Sequence, residues 1–228
     1  MGRWDGGVWN PDVPLPRDIR IPKIQAALIA TEQAIDLVND TFHEHGLSSL
    51  FNIAQSNNFS GIVSNVLTNQ VERDGAYSGG SERRGPDLFS RKTGDTLEVK
   101  TTQSLGKGAE GHNGHGGWHI VGCFMVDRDT GGIRFIHVMV ANLVAFNGTA
   151  DDWYRSAGTL HTGGAKTGHT ETYGTTKKGT AKLRDGTVYR DLARVDAKQI
   201  RRWRNGRVKL AGELPIPTYS PFYVTLSL

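Results

Sequence analysis

The chain has 228 residues, a net charge of +4, a hydrophobic share of 37% and 29 glycines. That length suits a single domain with a substantial core, and the glycine content points to a loop-rich α/β or α+β protein rather than a helical bundle. No stretch approaches the roughly 18 apolar residues of a membrane span, the start Met1-Gly2-Arg3-Trp4-Asp5 lacks the apolar core of a secretory signal, and the single cysteine, Cys123, excludes an internal disulfide framework, so a reducing cytoplasm is the expected location.

Residues 1–22 are rich in Pro, Gly and Trp and read as an extended arm whose Trp4 and Trp9 pack on the body or on a partner subunit. From Lys23 to His45, Ile24, Leu28, Ile35, Val38 and Phe42 fall near one helical face, with Gly46 as the stop. Phe59 to Gln70 reads as a second helix with Ile62, Val63, Val66 and Leu67 inward, entered through Gln55-Ser56-Asn57-Asn58. A mixed sheet follows. Asp87–Ser90 and Thr96–Thr102 read as strands joined by a turn over 91–95, and Trp118–Asp127 and Ile133–Val140 as a hairpin turning at Asp129-Thr130-Gly131-Gly132. Cys123 falls in the first strand of that hairpin and reads as a small core residue. Ala141–Phe146 and Asp151–Arg155 read as flanking short helical turns, 156–187 as a long loop or ribbon, Val195–Arg204 as a basic helix and Pro215–Leu228 as a closing strand.

The charge is unevenly spread. Trp153 to Lys209 holds 14 Lys/Arg against 4 Asp/Glu, while the rest holds 13 against 19. A basic block of that density suits a polyanion, although a solvated surface can also carry it. Within it, Lys166, Lys177 and Lys178 sit among glycines and threonines whose amides and hydroxyls fit phosphate oxygens, and Arg201 and Arg202 begin a second basic cluster. The string Gly163-Gly164-Ala165-Lys166-Thr167-Gly168 lacks the spacing of a P-loop, which excludes nucleotide hydrolysis on that ground.

Asp87 is followed eleven positions later by Glu98, and Glu98 by Lys100. Alternation along a strand puts Glu98 and Lys100 on one face with Val99 on the other. Two carboxylates suit a hard divalent cation, Mg²⁺ above all, and a lysine beside them can orient an attacking water. The same residues would also form an ion pair on an edge strand next to an ordinary turn.

Pro86-Asp87 and Glu98-Val99-Lys100 resemble the PD-(D/E)XK nuclease superfamily, best known from type II restriction endonucleases. The resemblance implies a restriction-endonuclease-like core, a central mixed β-sheet flanked by helices, with long Gly/Thr/Lys-rich loops for DNA. It implies Mg²⁺ held by Asp87, Glu98 and the Val99 carbonyl, with Lys100 positioning the water. The products would carry 5′-phosphate ends. Glu72 and Glu82 are candidates for an auxiliary acid, Glu82 being nearer. The order of segments over about residues 23–155 is similar to that of the blunt-cutting PvuII-like restriction enzymes, while 156–228 has no counterpart there. On this reading 23–228 is one nuclease domain. Its helical dimerisation region is 23–75, its catalytic core 76–150, and its basic DNA-binding region and closing strand 151–228. Double-stranded DNA is the expected partner, a homodimer the expected assembly, and a DNA methyltransferase the expected genetic companion.

The segment from Lys107 to His119 places His112, Asn113, His115 and His119 among glycines. Such a loop could enter a DNA groove, as could Arg83 and Arg84 beside the first acid. It could equally be a polar surface loop. A zinc site finds no cysteine pair here and no following helix to complete it.

Overall fold

The computed structural model describes residues 7–80, 85–103, 110–111, 114–148, 152–156 and 172–191. In chain order the elements are β1 (Val8–Trp9), α1 (Ile21–Glu44), α2 (Leu50–Ile53), α3 (Ser56–Glu72), β2 (Tyr77–Gly79), β3 (Leu88–Ser90), β4 (Thr96–Thr102), β5 (Glu110–Gly111), β6 (Gly117–Val126), β7 (Ile133–Leu143), β8 (Trp153–Ser156), β9 (Thr172–Thr175), α4 (Lys177–Asp185) and β10 (Thr187–Arg190). The fold is α/β, with a mixed central sheet flanked by helices.

The β6–β7 hairpin forms the spine because its apolar runs can be buried on both faces. Leu97, Val99, Ile120 and Phe124 face α1 and α3, where they meet Leu28, Ile35, Phe59, Val63 and Leu67. Val121, Met139, Ala141 and Leu143 face the other way, onto Trp153 and Leu183 of α4. The seven strands run in the order β1-β10-β7-β6-β4-β3-β2, and only β4 and β6 are parallel. A separate three-stranded antiparallel sheet has the order β5-β9-β8. Among the described residues no helix is long and apolar enough to cross a membrane. Cys123 is fully buried and burial pushes its thiol pKa well up, as befits a core residue.

Several expectations need correction. The first helix starts at Ile21, and Pro22 lies in its first turn, where no intrahelical N–H is lost. Val38 is exposed and Asn39 is buried in its stead, because Asn39 Oδ1 accepts the Leu50 amide at 2.8 Å and joins α1 to α2. Glu32 is buried too, its Oε1 accepting the Phe135 amide at 2.8 Å. Ala141–Leu143 extend β7 and Trp153–Arg155 belong to β8, so both stretches contribute strand. Within 156–187, Lys177–Asp185 is a helix, started by Thr176, whose hydroxyl accepts the Gly179 amide at 3.2 Å. The arm packs on its own body, with Trp9 tilted against Tyr189 at 4.6 Å between ring centroids. Trp4, the basic helix at 195–204 and the closing strand at 215–228 lie outside the described residues.

Candidate active site

Two backbone approaches bring the first acid to the second. Gly80 donates its amide to the Asp87 carbonyl at 3.0 Å, and a Cβ on Gly80 would run into the Pro86 carbonyl oxygen. This close passage closes β2 against the start of β3. The β3–β4 ladder then pairs Leu88 with Leu97, which leaves Asp87 one residue outside the ladder and beside Glu98.

At that point the ladder continues through side chains. The Asp87 amide donates to Glu98 Oε2 at 3.2 Å, and the Val99 amide donates to Asp87 Oδ2 at 2.8 Å. Lys100 Nζ lies 2.5 Å from Glu98 Oε1 and 3.7 Å from Asp87 Oδ2. Glu98 is 8% exposed, while Asp87 and Lys100 are half-buried. β4 is an interior strand between β3 and β6, so the ion pair does not sit on a sheet edge. Behind it α3 holds the strand: Ser64 Oγ donates to the Val99 carbonyl at 2.7 Å and Thr101 Oγ1 to the Ser60 carbonyl at 2.8 Å.

The charges respond to this crowding. Burial raises the pKa of Asp87 above the ordinary carboxylate range; Lys100 draws it down and Glu98 pushes it up. Burial works against the Lys100 charge, but Glu98 and Asp87 outweigh it and its pKa is raised. One ammonium thus serves two carboxylates, and the surplus negative charge is what a cation would neutralise. Asp87, Glu98 and the Val99 carbonyl offer oxygen donors only, which is the chemistry a Mg²⁺ ion would require. Among the described residues no group of three or more His, Cys, Asp or Glu side chains gathers as a metal site. The residues therefore suit a sparsely held hard cation and not a fully enclosed one.

The remaining candidates scatter. His119 is fully buried beside Glu98 in the β4–β6 ladder, so it is no surface contact; the strand begins at Gly117 and carries it under Trp153, with ring centroids 5.4 Å apart. His115 is half-buried, and Lys177 and Lys178 are exposed on the first turn of α4. Glu72, at the end of α3, accepts the Gly79 amide at 2.8 Å. Glu82, Arg83, Arg84, Lys107, His112, Asn113, Lys166, Arg201 and Arg202 lie outside the described residues. Ser64 carried no sequence signal, because its partner Val99 is 35 positions away. Comparison with family models, with curated proteins and with solved structures returned no match.

Proposed function

We propose that the chain is a type II restriction endonuclease of the PD-(D/E)XK superfamily, a hydrolase that cuts double-stranded DNA with Mg²⁺. The observation that carries this reading is the closed arrangement of Asp87, Glu98, Val99 and Lys100 where β3 meets β4. A binding module has no need of two carboxylates and an ammonium gathered at such a place. A mixed sheet flanked by helices is compatible with a restriction-endonuclease-like core.

Asp87, Glu98 and the Val99 carbonyl would hold the Mg²⁺. When bound, the ion would polarise the scissile phosphate and favour an attacking hydroxide. Lys100 would aim the attacking water, since its ammonium already spans both carboxylates. The products would be a 5′-phosphate and a 3′-hydroxyl. The exposed Lys177 and Lys178, with the rest of the basic block, would take the DNA backbone. Cutting both strands of a palindrome suits a two-fold dimer, and the helical layer exposes Leu37, Leu47 and Ile53, where a second copy would dock. Such an enzyme would act in the cytoplasm, in a restriction-modification system beside its DNA methyltransferase.

Plasmid digestion in Mg²⁺ tests the reading. Discrete fragments support a restriction enzyme. A smear points to another nuclease with the same core, such as a repair or modification-dependent one. A gel shift without cutting points to a catalytically silent DNA-binding protein.

A further inference from the structure

The proposed chemistry makes no use of His119, although it stands closer to the acids than any other histidine of the described sheet. It faces Glu98 across the parallel β4–β6 pair, and paired residues on neighbouring strands project to the same face. The imidazole, Glu98 and Lys100 therefore share one side of the sheet. His119 Nδ1 lies 3.0 Å from the Gly117 carbonyl oxygen. A carbonyl only accepts, so Nδ1 carries the proton and Nε2 keeps its lone pair. Nε2 is itself buried and has no hydrogen-bond partner among the described residues. Burial lowers the pKa of the ring to about 4; the Lys100 and His115 charges push it down while Gly117 and Asp87 push it up. A buried bare acceptor is costly, and one placed beside a reactive cluster calls for a partner.

Lys100 can supply it. Its ammonium has three donors, and of its two carboxylate neighbours only Glu98 Oε1, at 2.5 Å, is within hydrogen-bond reach; Asp87 Oδ2 stands at 3.7 Å. A cation held by Glu98 would compete for that same carboxylate. We propose that His119 is a positioning residue of this site: held in the Nδ1–H form by Gly117, it offers Nε2 as the acceptor that keeps the Lys100 ammonium in place when a divalent cation engages Glu98. This rests on the reading of Asp87 and Glu98 as cation ligands. No proton is transferred; the imidazole holds the amine in the direction its work on water requires.

The test uses the full chain labelled with ¹⁵N-histidine. Without cation, the His119 signal should be that of the Nδ1–H tautomer. Adding Mg²⁺ should move its Nε2 resonance toward the hydrogen-bonded position, and Lys100→Met should abolish that movement. In Mg²⁺-dependent cleavage, His119→Phe fills the space without an acceptor. It should lower kcat by roughly ten- to a hundredfold with KM for DNA unchanged. His119→Gln keeps a donor and an acceptor and should recover most of the loss. A resonance indifferent to Mg²⁺, or one that still shifts in Lys100→Met, overturns the proposal, as does a folded His119→Phe with wild-type kcat. Should His119→Phe fail to fold, the resonance of the natural side chain decides alone. A chain showing the shift but cutting no DNA keeps this proposal and sinks the nuclease reading. A chain that cuts DNA with a silent His119 does the reverse.

Discussion

Asp87 and Glu98 each accept a backbone amide from the other's strand: the Asp87 amide reaches Glu98 Oε2 at 3.2 Å, and the Val99 amide reaches Asp87 Oδ2 at 2.8 Å. The two carboxylates thus replace backbone carbonyls where the β3–β4 ladder stops, and the sheet itself fixes their separation. Neither acid can turn away without losing a hydrogen bond, so the pair is held in place by the sheet itself.

The raised pKa of Asp87 sets a pH dependence. Its folded-state value lies above the unfolded one, so the folded chain holds this proton more tightly. The resulting stability is fully present below the unfolded value and lost as pH rises through the folded one. At neutral pH the ionised carboxylate is therefore a cost that a cation would relieve. Mg²⁺ should raise the melting temperature at pH 7–8, less so on acidification, and least in Asp87→Asn. Without cation, Asp87→Asn should melt no lower than the natural chain at neutral pH. Calorimetry across pH with and without Mg²⁺ checks both statements, and an equal Mg²⁺ shift in Asp87→Asn would count against cation binding at Asp87.

Lys100→Ala should abolish cleavage while leaving DNA binding intact, a loss on the order of a hundredfold or more. It also removes the charge that draws the Asp87 pKa down, so that pKa should rise further. Cleavage assays in Mg²⁺ paired with gel shifts in Ca²⁺ give the first result, and titration of Asp87 by NMR the second. Retained cleavage would refute the role assigned to Lys100.

Ser64→Ala removes the hydroxyl that α3 donates to the Val99 carbonyl at 2.7 Å. The lost hydrogen bond should cost about 1 kcal/mol, read as a lower urea midpoint at constant slope. Cleavage should fall more than stability does, because the carbonyl concerned is a proposed cation ligand. A variant that loses stability and keeps full activity would separate the strand's anchor from its chemistry.

The strand carrying Glu98 and Lys100 was legible because its bounds follow from alternation: Thr96–Thr102 is β4 as the sequence suggested. The hairpin of β6 and β7 was legible for the same reason, its apolar runs being bounded by a glycine turn. What escaped was decided by tertiary partners. α4 hides Gly179, Thr180 and Arg184 on its inner face, residues that read as loop when their packing is unknown. Asn39 displaces Val38 from the interior because it caps a helix eleven positions on. His119 fell within the strand the sequence suggested from Trp118, yet it read as a DNA contact and the strand buries it. Polar residues turn inward for a specific partner, and no periodicity announces that.

Gly117 opens β6 with a φ of 106°, and a Cβ there would overlap the Thr96 hydroxyl. Gly117→Ala should therefore cost about 2 kcal/mol or more, from backbone strain and from the displaced β4. Chemical denaturation measures it. The same variant should disturb the His119 tautomer, since the Gly117 carbonyl holds Nδ1. An unperturbed midpoint would show that the turn relaxes freely.

The pairing of Val8 and Trp9 with Arg190 and Tyr189 has a consequence for handling the protein. Among the described residues the outer backbone of β10 is shielded by this two-residue strand and by the Asn10 amide, which donates to the Val188 carbonyl at 2.9 Å. Proteolytic trimming of the first ten residues would strip it away and bare a row of amides and carbonyls with no mate. Such a border recruits strands from neighbouring molecules. Nicked preparations should therefore clump on concentration while the acid pair, at the far side of the sheet, stays intact.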